Sequence, residues 1–292
     1  MKNEMNSFGP VASGRWYSAN PSSLRRTIQG YFDNVATVPV DHRIIAVISP
    51  HAGYQYSGQG AAFSFKPLMG RNIQRVVCLA PSHYRSFRGI SVLKADKYLT
   101  PLGDITIDNE GAAAMQSNKL VLSREDAFSP EHSLENLLPF LQVALGNFEL
   151  IPIIVGQIGE DDARILGEML SQYIDERTVF SISSDFIHYG PGFGYLPFPV
   201  DEKTGDRITE LDKGVIDKIV GIDPKGFSGY LKETGATICG ANPILLLLHA
   251  IKGKARGQLL HYYKSADMTG DFESSVSYAS IIFTLIYDGE DQ

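Results

Sequence analysis

The chain has 292 residues, 43% hydrophobic and 20% charged, which is enough to bury a sizeable core, and we read it as one α/β domain over residues 1–292. A formal net charge of -7 and a pI near 5.5 argue against a general nucleic-acid binder, which needs a basic surface to displace counterions, and favour small molecules or peptides as partners. Cys78 and Cys239 cannot build a disulfide framework, the N-terminus lacks the basic and apolar regions of a signal peptide, and no apolar run approaches the roughly 18 residues that span a bilayer. The expected setting is therefore cytoplasmic and reducing, with no membrane contact.

Residues 1–20 are polar and rich in Gly and Ser, with Trp16 and Tyr17 as the bulky anchors; Trp16 reads as a packing anchor or as the rim of a pocket. A helix is expected from Pro21 to about Val35. Ile44, Ile45, Val47 and Ile48 then form a buried strand, which places Ser49, Pro50 and His51 at its carboxyl end, where open α/β sheets hold ligands. Gly53 to Gly60 reads as a glycine-rich turn into a small-residue helix start at Ala61. It is no phosphate loop, because Gln59 stands where a Walker loop needs Lys and Gly60 replaces the Ser or Thr that holds magnesium.

Arg75 to His83 is a second apolar run, ending in Pro-Ser-His. A right-handed crossover between the two runs makes them parallel, so His51 and His83 lie on one side of the sheet, one or two strand spacings apart, and could share an ion. The bland alternative is that each imidazole caps a strand and bonds backbone. Gly89 to Lys94 and Asp104 to Ile107 are short strands around a turn at Tyr98 to Gly103, and Asn109 to Asn118 is a helix. Ser133 can cap a helix with Leu134, Leu137, Leu138 and Leu141 on its apolar face, leaving His132 either to cap or to project into a pocket.

Phe148 to Val155 is a strand and Asp161 to Tyr173 an amphipathic helix. Val179 to His188 is a third apolar run, ending in Asp185 and His188, and three strand ends carrying histidine suggest one shared site. Asp185 can orient His188 and raise its basicity, or it can merely cap the turn. The loop at 189–199, rich in glycine and aromatics, reads as a wall or lid. Helices at Asp206 to Val220 and Pro224 to Glu233 precede Cys239, whose position at the start of the helix Ile244 to Ile251 suits a thiolate serving as ligand or nucleophile. Cys78, inside a strand, reads as inert packing. Strands at Gly257 to Ser265 and Ser274 to Tyr287 complete a mixed sheet.

SGRWYSA, SPHAGYQYSG, APSHY, PEHSLE, SISSDFIHYG, ATICGANP and SSVSYAS, in this order and nearly end to end, resemble the MEMO family, also called AmmeMemoRadiSam system protein B. The resemblance implies a single-domain, mixed and largely parallel central sheet with helices on both faces, similar to class III extradiol dioxygenases, which hold iron with two histidines and a carboxylate. Carried over by motif, His51, His83 and Cys239 are the metal triad and His188 is the acid/base histidine. Cys239 departs from the dioxygenase carboxylate, and a thiolate also suits copper or zinc. Eukaryotic relatives are implied to act in motility and redox signalling and to bind phosphotyrosine-type peptides, and microbial ones to work with a radical SAM partner.

The leading expectation is an iron- or copper-dependent, oxygenase-like redox protein in which His188, with Asp185, moves a proton. One alternative is a non-catalytic module that holds a peptide or small ligand in the same cleft with Trp16, Tyr54 and His132. Another is a zinc hydrolase in which His188 activates a metal-bound water.

Overall fold

The computed structural model describes residues 6–36 and 40–286. A short strand, β1 (Ser7–Phe8), precedes helix α1 (Pro21–Asp33), which starts where Asn20 accepts a bond from the Ser23 amide and Pro21 presets the first turn. Leu24, Ile28 and Phe32 recur at four-residue spacing and form its buried stripe. Next come β2 (Ile44–Ser49), with every residue buried, and α2 (Tyr54–Phe65). Then follow β3 (Arg75–Pro81), β4 (Ile90–Val92), β5 (Lys97–Thr100), β6 (Gly103–Ile107), α3 (Asn109–Ala114), β7 (Val121–Leu122) and α4 (Leu138–Leu145). The second half holds β8 (Glu149–Val155), α5 (Glu160–Leu170), β9 (Thr178–Ser183), β10 (His188–Tyr189), α6 (Thr204–Val220), α7 (Pro224–Thr234) and α8 (Ala241–Ile251). β11 (Ala255–Lys264), α9 (Ser265–Thr269) and β12 (Ser275–Leu285) close the described chain; Tyr287, expected in the last strand, lies outside the described residues.

The strands join in the order β1-β5-β6-β8-β3-β9-β2-β12-β10, with β11 on β12 and β4 bridging β7 and β8. The run β6-β8-β3-β9-β2 is parallel throughout, and β12 pairs antiparallel with β2. Alternate side chains of the central strands face opposite ways: Val77 and Leu79 of β3 pack with α5, α6 and α8, while Val76, Cys78 and Ala80 pack with α1, α2 and α4. The fold is a single mixed α/β domain with a core on each face of the sheet. Since β9 lies between β2 and β3, their three carboxyl ends form one rim, as open α/β sheets require of a ligand site.

Several expected local structures differ. The stretch from Gly53 to Gly60 is not a turn, because α2 already begins at Tyr54. Its glycines serve close packing: a Cβ at Gly58 would lie 2.4 Å from the Tyr31 ring, and one at Gly60 3.0 Å from Pro50. Tyr98 belongs to strand β5 and is buried opposite Ile105; the turn itself is confined to Thr100–Gly103. Ser133 caps no helix with its side chain. Its hydroxyl donates to the Pro81 carbonyl, and a 3-10 turn at Glu135–Leu137 leads into α4. The third apolar run ends at Ser183, and His188 sits on separate β10, opposite Val276 of β12.

Candidate metal centre

His51 follows β2 by one proline and is 2% exposed. Its amide donates to Asp185 Oδ1 at 2.8 Å, and Nδ1 lies 2.7 Å from Ser183 Oγ. The Ser183 hydroxyl spends its proton on the Ser133 carbonyl at 2.6 Å, so it can only accept from His51. That fixes the Nδ1–H tautomer and leaves the Nε2 lone pair bare. Burial first, then the neighbouring His83 and His188, hold the imidazole well below its ordinary pKa and therefore neutral.

His83, beyond the end of β3, is primed the same way by Glu131. The buried carboxylate accepts His83 Nδ1–H at 2.8 Å, the His83 amide at 2.6 Å and the Ser133 amide at 3.0 Å. Burial of Glu131 alone would raise its pKa, but these bonds and the His83 charge outweigh it and hold the carboxyl at about 2. Burial likewise opposes charge on His83, and Glu131 reverses the balance and raises its pKa. With Nδ1 committed to a carboxylate, Nε2 of His83 is the free donor, as in carboxylate–histidine–metal arrangements. His132 stacks between Trp16 (ring centroids 3.9 Å apart, 13° between planes) and His83 (5.0 Å, 18°). Burial, then the neighbouring His51, pushes its pKa down to about 3, and its Nδ1, without a hydrogen bond, lies 3.6 Å from Glu131 Oε1.

On the other side of His51, Cys239 Sγ is 3.4 Å from Nε2 and accepts the Asp185 amide at 3.1 Å. Asp185 Oδ2 is 3.9 Å from the same nitrogen. Cys239 directly precedes Gly240, the cap of α8, but burial, followed by the Asp185 charge, raises the thiol pKa well above its usual value. Without a cation it is a thiol; a bound cation is what would deprotonate it. Two groups of three therefore offer donor atoms mutually within 4.8 Å among the described residues: His51, His83 and His132, and His51, Asp185 and Cys239. His51 is the hub, and His83 and Cys239 fall in different groups.

Three motif histidines and the cysteine thus converge at one sheet rim, inside a segment, residues 9–282, that matches the model described as Memo-like protein. The chain belongs to the Memo-like family. It is 35% identical to the memo-1 homolog of Caenorhabditis elegans over 96% of this chain and 84% of that protein. It is 33% identical to a MEMO1 family protein of Methanothermobacter thermautotrophicus over 93% of this chain and 98% of that one. An uncharacterized Escherichia coli K12 protein of known structure shares the fold, with a TM-score of 0.56 and 15% identity, covering 82% of this chain and 99% of its own.

In this Memo-like chain the remaining predicted residues are split. His188 donates Nδ1–H to the Phe186 carbonyl at 2.8 Å, which again leaves Nε2 free, and its ring meets Phe193 edge-on at 5.2 Å. Asp185 binds the His51 amide rather than orienting His188 through a hydrogen bond. Tyr54 is 5% exposed and turned inward, its hydroxyl donating to the Asn136 carbonyl, while Asn136 Nδ2 donates to the His51 carbonyl. Trp16, by contrast, lines a cavity of about 510 Å³ together with Ala52, Tyr56, Phe193, Val276 and Tyr278. Because Ala52 follows His51 and Val276 pairs with His188, this cavity adjoins the centre.

Sequence reasoning missed Ser183, Glu131 and Glu135. Glu135, fully buried, accepts the amides of Val11, Ala12 and Ser13 and the Tyr17 hydroxyl, and so pins the arm that lays Trp16 over His132. The available signal was the pair of acids flanking His132 and Ser133 in PEHSLE, next to a strongly apolar helix. Cys78 is inert packing as expected, since burial in β3 raises its thiol to about 12.

Proposed function

We propose that this Memo-like protein is a metal-dependent redox protein of oxygenase-like type, in which His51, His83 and Cys239 hold iron or copper and His188 accepts a proton from the ligand. One observation carries the reading: Ser183 and Glu131 each take the Nδ1 proton of a strand-end imidazole and leave the Nε2 atoms of His51 and His83 bare. Two imidazoles with a thiol at 3.4 Å from one of them suit iron, copper or zinc, and the sulfur favours the softer ions. Bound there, such an ion would supply Lewis acidity and one-electron chemistry. His83 and Cys239 must close by side-chain rotation around His51. His188 Nε2, free and beside the cavity, is the base for a ligand hydroxyl. Trp16, Phe193 and Tyr278 would hold the apolar part of that ligand and limit water. A reducing cytoplasm is the setting we propose, because Cys239 must stay unoxidised to bind.

Protein purified anaerobically without chelator is expected to carry close to one iron or copper per chain, and the loaded form to consume oxygen with catechols. A metal-free preparation that also fails to bind ferrous or cuprous ion would refute the metal reading. The cavity favours a second reading, a binding module for a peptide or small ligand; saturable binding that needs no metal, without turnover, would support that instead.

A further inference from the structure

We propose that the cavity beside the centre holds a tyrosine-like α-amino acid, its ring among the aromatic walls, its phenol on Tyr278, its carboxylate on Arg15 and its ammonium on Asp271. The inference names the substrate class that the reading above leaves open. It rests on that reading for the reaction alone, since the ligand follows from the walls.

Tyr56 and Phe193 are 38% and 41% exposed and share the cavity with Trp16 and Val276. Large apolar groups gathered in one concave site mark ligand binding, unlike the single aromatics scattered over any surface. At about 510 Å³ the cavity falls among those of about 300–1,000 Å³ that take small organic molecules. Phe193 also meets the His188 ring edge-on, so this wall leads to the free Nε2 of His188.

Polar groups fix what that molecule carries. Tyr278 lines the cavity, is 2% exposed, and makes no hydrogen bond through its hydroxyl among the described residues. A buried hydroxyl without a partner calls for one, and burial keeps this phenol neutral, able to donate or accept. Arg15 and Asp271 line the same cavity, are both exposed and carry opposite charges, yet they do not pair with each other. The Arg15 guanidinium bonds no other group among the described residues. Asp271 accepts the Glu273 and Ser274 amides through Oδ1, at 2.9 and 3.2 Å, which leaves Oδ2 open. An uncommitted cation and an uncommitted anion on one aromatic cavity complement the two charges of an amino acid.

The test titrates the full, metal-free chain, with isothermal titration for affinity and the emission of Trp16, the single tryptophan, for contact with the cavity wall. L-Tyrosine is expected to bind saturably and to change the emission. L-Phenylalanine, without the hydroxyl, and N-acetyl-L-tyrosinamide, without either charge, should each bind about tenfold or more weakly. Arg15→Gln should weaken L-tyrosine and para-hydroxyphenylpropanoate about fivefold and leave tyramine, which has no carboxylate, within about twofold. Asp271→Asn keeps the Oδ1 acceptor and should do the converse, weakening L-tyrosine and tyramine but not the propanoate. Tyr278→Phe should bring L-tyrosine and L-phenylalanine within about twofold of each other. No binding of L-tyrosine at millimolar concentration overturns the inference and leaves the metal reading in place. The amide bound as tightly as the free amino acid overturns it in favour of a peptide, and variants that weaken all these ligands alike overturn the assigned contacts. L-Tyrosine bound in this pattern by a chain that takes up neither iron nor copper sustains the inference and overturns the metal reading alone.

Discussion

Glu131 offers the sharpest test of how the centre is built, because it holds His83 without reaching the proposed ion. Its carboxylate accepts three N–H bonds, of 2.6, 2.8 and 3.0 Å, from His83 and Ser133. Glu131→Gln keeps the shape, removes the charge and turns an NH2 group toward donors. Hydrogen bonds to charged groups contribute about 1.5–3 kcal/mol each, and breaking a buried pair typically costs about 3–5 kcal/mol. The variant should therefore lose roughly 3 kcal/mol of stability, seen as a lower denaturant midpoint at unchanged m value. Since His83 loses the group that fixes its tautomer, affinity for nickel or zinc should fall about 10–100-fold. Isothermal titration of the metal-free protein, under conditions where the variant is fully folded, separates the two effects. Metal affinity within twofold of the unaltered chain would refute the orienting role of Glu131, whatever happened to stability.

Cys239→Ser should lower cuprous affinity strongly while changing the stability of the metal-free protein by less than about 1 kcal/mol, since a serine oxygen can still accept the Asp185 amide; a collapsed unfolding midpoint would make Cys239 structural. Glu135→Gln should loosen the arm at Val11–Tyr17, red-shift Trp16 emission and expose that arm to protease; unchanged emission and protease resistance would count against Glu135 as the clamp. Asp212, buried beside the Ile187 amide and the Tyr262 hydroxyl, is pushed up to about 6 by burial. The folded state then holds a proton that the unfolded chain, titrating near 3.9, gives up. The contribution to stability is present below about pH 4 and is lost as pH rises through 6, on the order of 2–3 kcal/mol. Asp212→Asn should remove that loss, so its stability relative to the unaltered chain should climb between pH 4 and 6 in denaturant unfolding. A difference independent of pH would show that Asp212 titrates normally.

The chain order of apolar runs determined much of this molecule without a structure. Ile44–Ile48 and Arg75–Pro81 are buried parallel strands because uninterrupted apolar runs must be covered on both faces, and the proline–histidine endings put His51 and His83 at the same rim by the handedness of the crossover. The sequence also placed α1, α5, α6 and α7 to within a few residues. Tertiary contacts decided what local preference could not. Gly58 and Gly60 lie inside a helix, against their propensity, because Tyr31, Pro50 and Tyr263 press on that face. His188 left the end of its run for β10 because β12 offered it a pairing edge. The partners that tune the centre were hidden for the same reason: Ser183 meets His51 across 132 residues of chain, and Glu131 meets His83 across 48. Hydrogen bonds between such distant side chains leave no periodic trace in a sequence. Which nitrogen of His51 is bare, and which of its neighbours an ion could reach, is therefore decided only when β2, β9 and β3 lie side by side.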